Sequence, residues 1–440
     1  MDGNEKRLTL AGGESEVSGP VGSAPVSQTE QPVSQTEQPV GQTEQPVSQT
    51  EQPVGHVSMS NSKAIRFPAL DGCRAVAAVG VFITHMGLLT GFIMRHEWIG
   101  QYMARMEVGV SVFFVLSGFL LYRPMVAARF ADQDPRDVGT FARRRILRIF
   151  PAYWVALTIV AFVLKAPGFN EPHTVVAHYL LLHIYDSSQV IGGPIQQSWT
   201  LATEIAFYAF LPCWAWVMSR RRRSGKAQLK VEVWALVALG AASALANVLL
   251  VKLQVAGSTF AQLGMWLPFR VVDFVPGMLL AVLSAWVSHR SIRLPDWLVG
   301  LPTTIACWVG SAAAFWVVST QLNLPSFPVY TTRQAFAVRV LYLIVAVLFV
   351  APAVIGRQKG GVVQSLLGNR LAIWVGLISY GIYIWHEAWM DVYLRWFDQQ
   401  PLATGIVGFG LFTITLTMIC AVISWYFIEK PVMSWGSRWR

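Results

Sequence analysis

Long apolar blocks are the feature that most constrains how this 440-residue chain can fold. The block at 75–94 reads AVAAVGVFITHMGLLTGFIM and contains a single ionisable side chain, His85. A helix that crosses a bilayer needs about 20 predominantly apolar residues. Hydrophobic residues make up 54% of the chain and charged residues 13%, whereas a soluble protein carries about 25% charged residues. The sequence therefore predicts an all-α integral membrane protein.

Ten apolar blocks are long enough to form transmembrane helices. We predict these helices at about 70–94, 108–128, 149–165, 197–218, 231–251, 264–287, 298–319, 337–356, 371–390 and 403–428. Pro268 and Pro276 lie inside the sixth block and predict a kinked helix. The segment 174–185 is too short to cross a bilayer, so we expect it at the outer interface or as a re-entrant segment.

Basic residues predict the orientation of the helices in the membrane. If the N-terminus lies inside, 22 Lys and Arg residues flank the inner ends of the helices and 7 flank the outer ends. Because positive residues concentrate on the cytoplasmic side, we expect a multi-pass protein of the cytoplasmic membrane with both termini in the cytoplasm. Contact with the lipid bilayer also explains the net charge of +10, so no nucleic-acid partner is expected.

Three regions are predicted along the chain. Residues 1–65 form a polar segment in which VSQTEQP repeats begin at Val26. Each repeat has a Pro, which costs about 3 kcal/mol inside a helix, and a single Val, which cannot build a coiled-coil seam. We therefore predict a disordered cytoplasmic tail, with a partner-binding repeat array as the alternative. Residues 66–431 form the transmembrane domain, and residues 432–440 form a short basic cytoplasmic tail.

Neither metal binding nor serine nucleophilic catalysis is indicated by the sequence. The four cysteines are far apart and form no CxxC pair, so we predict no disulfide and no metal site. Ser117 lies in GVGVSVFFVLSGFLLY, which lacks the G-x-S-x-G elbow of serine hydrolases. Gly109, Ser111, Ser117 and Gly118 are instead predicted to allow close packing between helices.

Two ionisable residues of the first predicted helix are candidates for a functional site. Arg74 and His85 are eleven residues apart, which places both on one helix face, about 16 Å apart along the axis. Ionisable groups at membrane depth cost at least about 2.5 kcal/mol to insert, so they require a reason. One helix face thus has Arg74, which can bind an anion near the cytoplasmic surface, and His85, a titratable base near mid-membrane. Alternatively, Arg74 pairs with Asp71 and His85 is a core histidine that bonds a helix carbonyl.

Further polar residues lie just before the third block and within the fourth and ninth blocks. Arg145 and Arg148 are spaced i, i+3 and face the same way, so they can clamp phosphates, although anchoring and anionic lipid contact are the alternative. Glu204 lies inside an apolar run beside Trp199, which suits either a structural partner of a buried Arg or a catalytic acid or base. His386 lies at a predicted helix end and is an alternative base.

Six of these segments, taken in chain order, resemble acyltransferase family 3, the integral-membrane O-acyltransferases of bacterial surface glycans. They are LDGCRAVAAVGVFITH, FFVLSGFLLYR, RRRILRIFPAYW, SWTLATEIAFYAFLP, ISYGIYIWH and FIEKP. The resemblance runs from about Phe67 to Pro431 and does not include the repetitive N-terminal tail. Some members carry a C-terminal hydrolase-like domain that handles the acceptor. The sequence ends at Arg440, so we expect this transmembrane domain to act alone or with partners in cell-envelope biosynthesis.

The resemblance implies specific site residues. The family's first-helix Arg and His fall on Arg74 and His85, its R-x-x-R on Arg145 and Arg148, and its fourth-helix Glu on Glu204. It implies acyl-CoA as a cytoplasmic co-substrate, no bound cofactor, and an acceptor hydroxyl on an extracytoplasmic or lipid-linked glycan. Secondary candidates for the site are Asp71, Tyr153, Trp199 and His386.

The residues and the resemblance predict the same chemistry. A neutral histidine suits general base catalysis at pH 7, so His85 is expected to take the proton of the acceptor hydroxyl. Glu204 is expected to orient His85 and stabilise its imidazolium. The three arginines are expected to hold the phosphates of coenzyme A.

The alternative function is a proton-coupled transporter or flippase of a glycan precursor. Against it, no repeat relates the two halves of the chain. A third alternative is a membrane scaffold whose N-terminal tail recruits partners. It would leave Arg74, His85 and Glu204 without a function.

Overall fold

The computed structural model describes residues 66–133, 137–169, 171–186, 193–221, 223, 225–253, 257–325, 330–358 and 360–438. Over these residues the chain is all-helical and has no β-strand. The predicted disordered tail, residues 1–65, lies outside the described residues.

Ten long helices lie within the described residues. They are α1 (Ala69–Leu89), α2 (Gly109–Phe130), α3 (Val138–Thr158), α4 (Trp199–Ser219), α5 (Gly225–Lys252), α6 (Leu267–His289), α7 (Leu301–Trp316), α8 (Thr332–Ile355), α9 (Arg370–Trp396) and α10 (Ile406–Ile423). Within the described ranges, nine helical runs are long and apolar enough to cross a membrane. A tenth candidate joins Gly361–Leu367 to α9 across a 54° bend. The predicted all-α architecture is confirmed, with nine to ten candidate spans.

The third helix is longer than predicted. It begins at Val138 because the Asp137 carboxylate caps it, accepting a hydrogen bond of 2.6 Å from the Thr140 backbone N–H. It continues into a π-helical segment, Ile159–Val163. The hydropathy pattern missed its first turns because they are rich in arginine. The segment predicted at 174–185 forms only two short pieces, Pro172–Tyr179 and a 3₁₀ turn at His183–Tyr185.

Helix α2 packs against α1, α4, α6 and α8. Its contact with α6 is close because two glycines meet opposing backbone. A Cβ atom on Gly118 would lie 2.3 Å from the Phe274 carbonyl oxygen, and one on Gly277 would lie 1.9 Å from the Val115 carbonyl oxygen. Small residues therefore let these two helices approach, as predicted for this part of the second helix.

Helix α1 packs along α9 in the same manner. A Cβ atom on Gly376 would lie 2.0 Å from the Asp71 carbonyl oxygen, so no larger residue fits this contact without a backbone shift. This close approach fixes the register of α9 on α1. As a result, the C-terminal half of α9 faces the C-terminal half of α1, where His85 is located.

The C-terminal FIEKP segment is also part of the packed structure. Helix α10 continues into a π-helical segment, Ser424–Glu429, and then into the helix Lys430–Arg438, which packs against α3. The Glu429 side chain is buried and accepts a hydrogen bond of 3.1 Å from the Ser424 hydroxyl.

Candidate functional site

Helices α1, α2, α3, α4 and α9 surround a cavity of about 90 Å³. Four of the predicted site residues line it together: Arg74, Arg145, Arg148 and Glu204. The polar lining is completed by Ser117, Thr200, Tyr208, Ser379, Tyr380 and Tyr383. Residues separated by up to 309 positions in the sequence, Arg74 and Tyr383, thus line one polar chamber inside an apolar bundle.

The Glu204 carboxylate is held by two hydroxyl groups. The same oxygen, Oε1, accepts hydrogen bonds of 2.6 Å from Ser117 and 2.7 Å from Tyr208. Neither hydrogen bond is predicted from the sequence. The i, i+4 spacing of Glu204 and Tyr208 does place both side chains on one face of α4, so it indicates that they can meet. Ser117 was predicted only to pack, and in the structure it also orients this carboxylate.

The three arginines of the cavity differ in the partners of their side chains. Arg74 forms an ion pair of 3.2 Å with Asp71 one turn earlier on α1, which is the alternative considered from the sequence. The Arg145 guanidinium carbon lies 6.0 Å from the centre of the Tyr208 ring. Neither Arg145 nor Arg148 forms an ion pair with any residue that the structure describes. Two guanidinium groups at the cavity are therefore available for an anion.

His85 lies in a second polar cluster, formed with α9. Its Nδ1 atom lies 2.8 Å from His386 Nε2 and 3.0 Å from Glu387 Oε1. The two imidazole rings stack with their centroids 5.0 Å apart. His386 is buried, and its Nδ1 lies 2.8 Å from the Tyr383 carbonyl oxygen. The His85 side chain keeps 27% of its surface exposed, so it is only partly enclosed by protein.

The expected pairing of Glu204 with His85 is not what the structure contains. Glu204 bonds Ser117 and Tyr208, and the carboxylate beside His85 is that of Glu387. The reason is the α1–α9 contact, which a pattern read along single helices cannot reveal. His386, predicted as a secondary candidate, contacts His85 directly, whereas Glu387 was not among the predicted residues.

Tyr383 connects the two clusters. Its side chain lines the arginine cavity, and its hydroxyl lies 2.8 Å from the Thr200 hydroxyl. Its backbone carbonyl accepts the hydrogen bond from His386. The cavity and the His85 cluster are thus adjacent, with a single residue contributing to both.

Two other predicted residues lie outside these clusters. Tyr153 is buried, and its hydroxyl donates a hydrogen bond of 2.9 Å to the His178 carbonyl oxygen. The Arg270 guanidinium carbon lies 4.9 Å from the centre of the Trp199 ring. Neither Tyr153 nor Trp199 lines the cavity.

A second pair of stacked histidines lies in the short helical segments between α3 and α4. The rings of His178 and His183 have centroids 4.6 Å apart. Burial, together with the neighbouring His178, lowers the pKa of His183 to about 3, so His183 is neutral at pH 7.

The fold and the two clusters together define a multi-pass membrane protein with adjacent polar clusters inside its helical bundle. The chain belongs to acyltransferase family 3, because the family model described as an acyltransferase domain matches residues 67–426. This match confirms the resemblance predicted from Phe67 onwards.

Two curated relatives show what the chain is similar to. It is 24% identical to the peptidoglycan O-acetyltransferase OatA of Listeria monocytogenes over 389 residues, which cover 84% of this chain and 56% of that protein. It is 29% identical to the acyltransferase MdmB of Streptomyces mycarofaciens over 242 residues, which cover 50% of this chain and 58% of that protein. The chain thus spans little more than half the length of these relatives. No solved structure matches it.

Proposed function

We propose that this protein is a membrane-embedded O-acyltransferase. It moves an acyl group from cytoplasmic acyl-CoA to a hydroxyl of an extracytoplasmic or lipid-linked glycan. The observation that carries this proposal is the shared cavity of Arg74, Arg145 and Arg148, next to the His85 cluster. The family assignment supports acyl transfer, and the name of the Listeria relative supports a glycan acceptor.

The arrangement of cavities supports a path for the donor. A groove of about 360 Å³ between α2 and the start of α3 is lined by Arg144 and Arg145. It shares Leu120, Leu121 and Arg145 with the cavity. Guanidinium groups bind phosphate through paired hydrogen bonds, so the nucleotide of coenzyme A would lie at these arginines. The pantetheine arm would then extend through the cavity past Glu204.

The distribution of basic residues supports the orientation that this path requires. With 22 basic residues at inner helix ends against 7 at outer ends, the arginine cavity would open towards the cytoplasm. His85 follows Arg74 by eleven residues on α1, a rise of about 16 Å. That distance is comparable to the reach of a pantetheine arm, so the thioester would arrive beside His85.

The proposed chemistry is a direct transfer with His85 as general base. The acceptor hydroxyl oxygen attacks the thioester carbonyl carbon and passes its proton to His85 as the new C–O bond forms. The C–S bond then breaks, and the departing thiolate takes the proton from His85 to give free coenzyme A. The products are one ester and one thiol, so no other co-reactant is needed.

Reconstituted protein tests this function. The full chain in lipid nanodiscs would be incubated with [¹⁴C]acetyl-CoA and soluble peptidoglycan fragments. We expect an alkali-labile radioactive ester on the glycan and one free coenzyme A thiol for each ester formed. Absence of both ester and thiol release would contradict an acyltransferase. Glycan-dependent proton movement across vesicles without ester formation would instead support the transporter alternative.

A further inference from the structure

We infer that Glu387 and His386 are positioning residues that lock His85 in the tautomer whose Nε2 atom is the base. This inference rests on the proposed function and deepens it, because it names the groups that prepare His85 for proton transfer. It follows from the hydrogen-bond geometry at the contact of α1 with α9.

The first step concerns His386, which is buried between the two helices. Its Nδ1 atom lies 2.8 Å from the Tyr383 carbonyl oxygen and 3.2 Å from the Ile382 carbonyl oxygen. A carbonyl oxygen only accepts hydrogen bonds, so Nδ1 of His386 carries the proton. In the neutral ring, Nε2 then has a lone pair and is an acceptor.

The second step concerns His85. Its Nδ1 atom faces the His386 Nε2 lone pair at 2.8 Å and Glu387 Oε1 at 3.0 Å. Both neighbouring atoms are hydrogen-bond acceptors, so Nδ1 of His85 must be the donor. This holds whether the hydrogen bond goes to His386 or to Glu387. The neutral His85 ring therefore keeps its lone pair on Nε2. That atom is the one left to receive a proton.

The third step concerns charge. When Nε2 of His85 takes the proton of the acceptor hydroxyl, the ring becomes a cation at membrane depth, where an unpaired charge is costly. The Glu387 carboxylate, 3.0 Å from the opposite side of the same ring, stabilises that cation. The Asp of Ser-His-Asp enzymes has the same two roles: it holds the histidine tautomer and stabilises the imidazolium.

A metal site is the competing explanation of this cluster. One atom each from His85, His386 and Glu387 lies within 4.8 Å of the others, and two His with one Glu is a set that binds Zn²⁺. Two nitrogens on one tetrahedral Zn²⁺ at about 2.0–2.1 Å lie about 3.3 Å apart. The two nitrogens here lie 2.8 Å apart, which is a hydrogen-bond distance. The geometry therefore favours a hydrogen-bonded chain.

The test compares Glu387→Gln, Glu387→Asp and Asp391→Asn in the nanodisc assay with [¹⁴C]acetyl-CoA and peptidoglycan fragments. Asp391 is the matched control, because it is an acid one turn further along α9 that pairs with Arg395 at 2.8 Å. We expect Glu387→Gln to lower kcat by about 10²-fold or more with an unchanged KM for acetyl-CoA. Asp should restore part of the rate, and Asp391→Asn should match the wild type.

Several results would overturn the inference while leaving the proposed function intact. An active wild type with equally active Glu387→Gln would remove Glu387 from the mechanism. Equal loss in the Gln and Asp variants, with raised KM or poor membrane accumulation, would indicate a structural role only. Loss of wild-type activity on chelation, restored by Zn²⁺, would establish the metal site instead. A wild type inactive with every acceptor would contradict the proposed function itself.

Discussion

His85 Nδ1 lies 2.8 Å from His386 Nε2, although the two residues are 301 positions apart in the chain. The contact joins the first and ninth long helices at the level where α9 also brings Glu387 to the same nitrogen. Under the proposed mechanism, proton transfer to His85 therefore depends on α9 as well as on α1.

The arginines of the cavity should act mainly on donor affinity. Arg145→Ala and Arg148→Ala should each raise the KM for acetyl-CoA by about tenfold or more, because each removes a charge-assisted contact to phosphate. Lys at either position should recover only part of the affinity, since it lacks the paired donors of guanidinium. The measurement is the dependence of initial rate on acetyl-CoA concentration.

Arg357→Ala is the matched control for these variants. Arg357 is exposed and pairs with Asp296 at 2.7 Å, away from the cavity. Its KM should equal that of the wild type. If Arg145→Ala and Arg148→Ala behave like this control, then the two arginines anchor the protein at the membrane surface and do not bind the donor.

The α2–α6 contact should be sensitive to a single methyl group. Gly277→Ala would place a carbon 1.9 Å from the Val115 carbonyl oxygen, so the helices must separate. Overpacking of this kind costs about 1–3 kcal/mol. Gly405→Ala is the control, because nothing lies within 4 Å of the added carbon. Thermal unfolding in detergent should show a lower Tm for Gly277→Ala only, and equal Tm values would contradict the close contact.

Cysteine labelling should establish the orientation. In a variant without native cysteines, Lys226→Cys at the start of α5 should be protected from an impermeant maleimide in intact cells. Leu253→Cys, which follows α5 and is exposed, should be labelled. The reason is the concentration of basic residues around position 226. The reverse pattern would place the arginine cavity outside and would contradict a cytoplasmic acyl-CoA donor.

Much of the fold and half of the site could be predicted from the sequence. Apolar blocks reveal spanning helices because the bilayer requires each helix to be long and apolar. Charged residues inside such blocks are conspicuous for the same reason, which identifies Arg74 and Glu204. Arg145 and Arg148 precede the third predicted block and are identified by their i, i+3 spacing instead. The first turns of α3 were missed because an arginine-rich helix end has no apolar signal.

The partners of these residues could not be predicted, because they depend on how helices pack against one another. The pairing of His85 with Glu387 is set by the register of α9 on α1, where Gly376 meets the Asp71 backbone. Glu204 was instead assigned to His85 on chemical suitability alone. The sequence predicts Ser117 only as a packing residue, and it cannot reveal the hydrogen bond to Glu204, because that bond joins α2 to α4.

The most direct test of the central claim is the rate of acyl transfer by His85→Gln. Gln retains a polar group but cannot take a proton at neutral pH, whereas it can replace a structural hydrogen bond. The purified variant, with wild-type membrane accumulation and wild-type binding of acetyl-CoA, should transfer [¹⁴C]acetyl to peptidoglycan fragments about 10²–10⁴-fold more slowly than the wild type. A His85→Gln protein that transfers at the wild-type rate would contradict the assignment of His85 as the catalytic base.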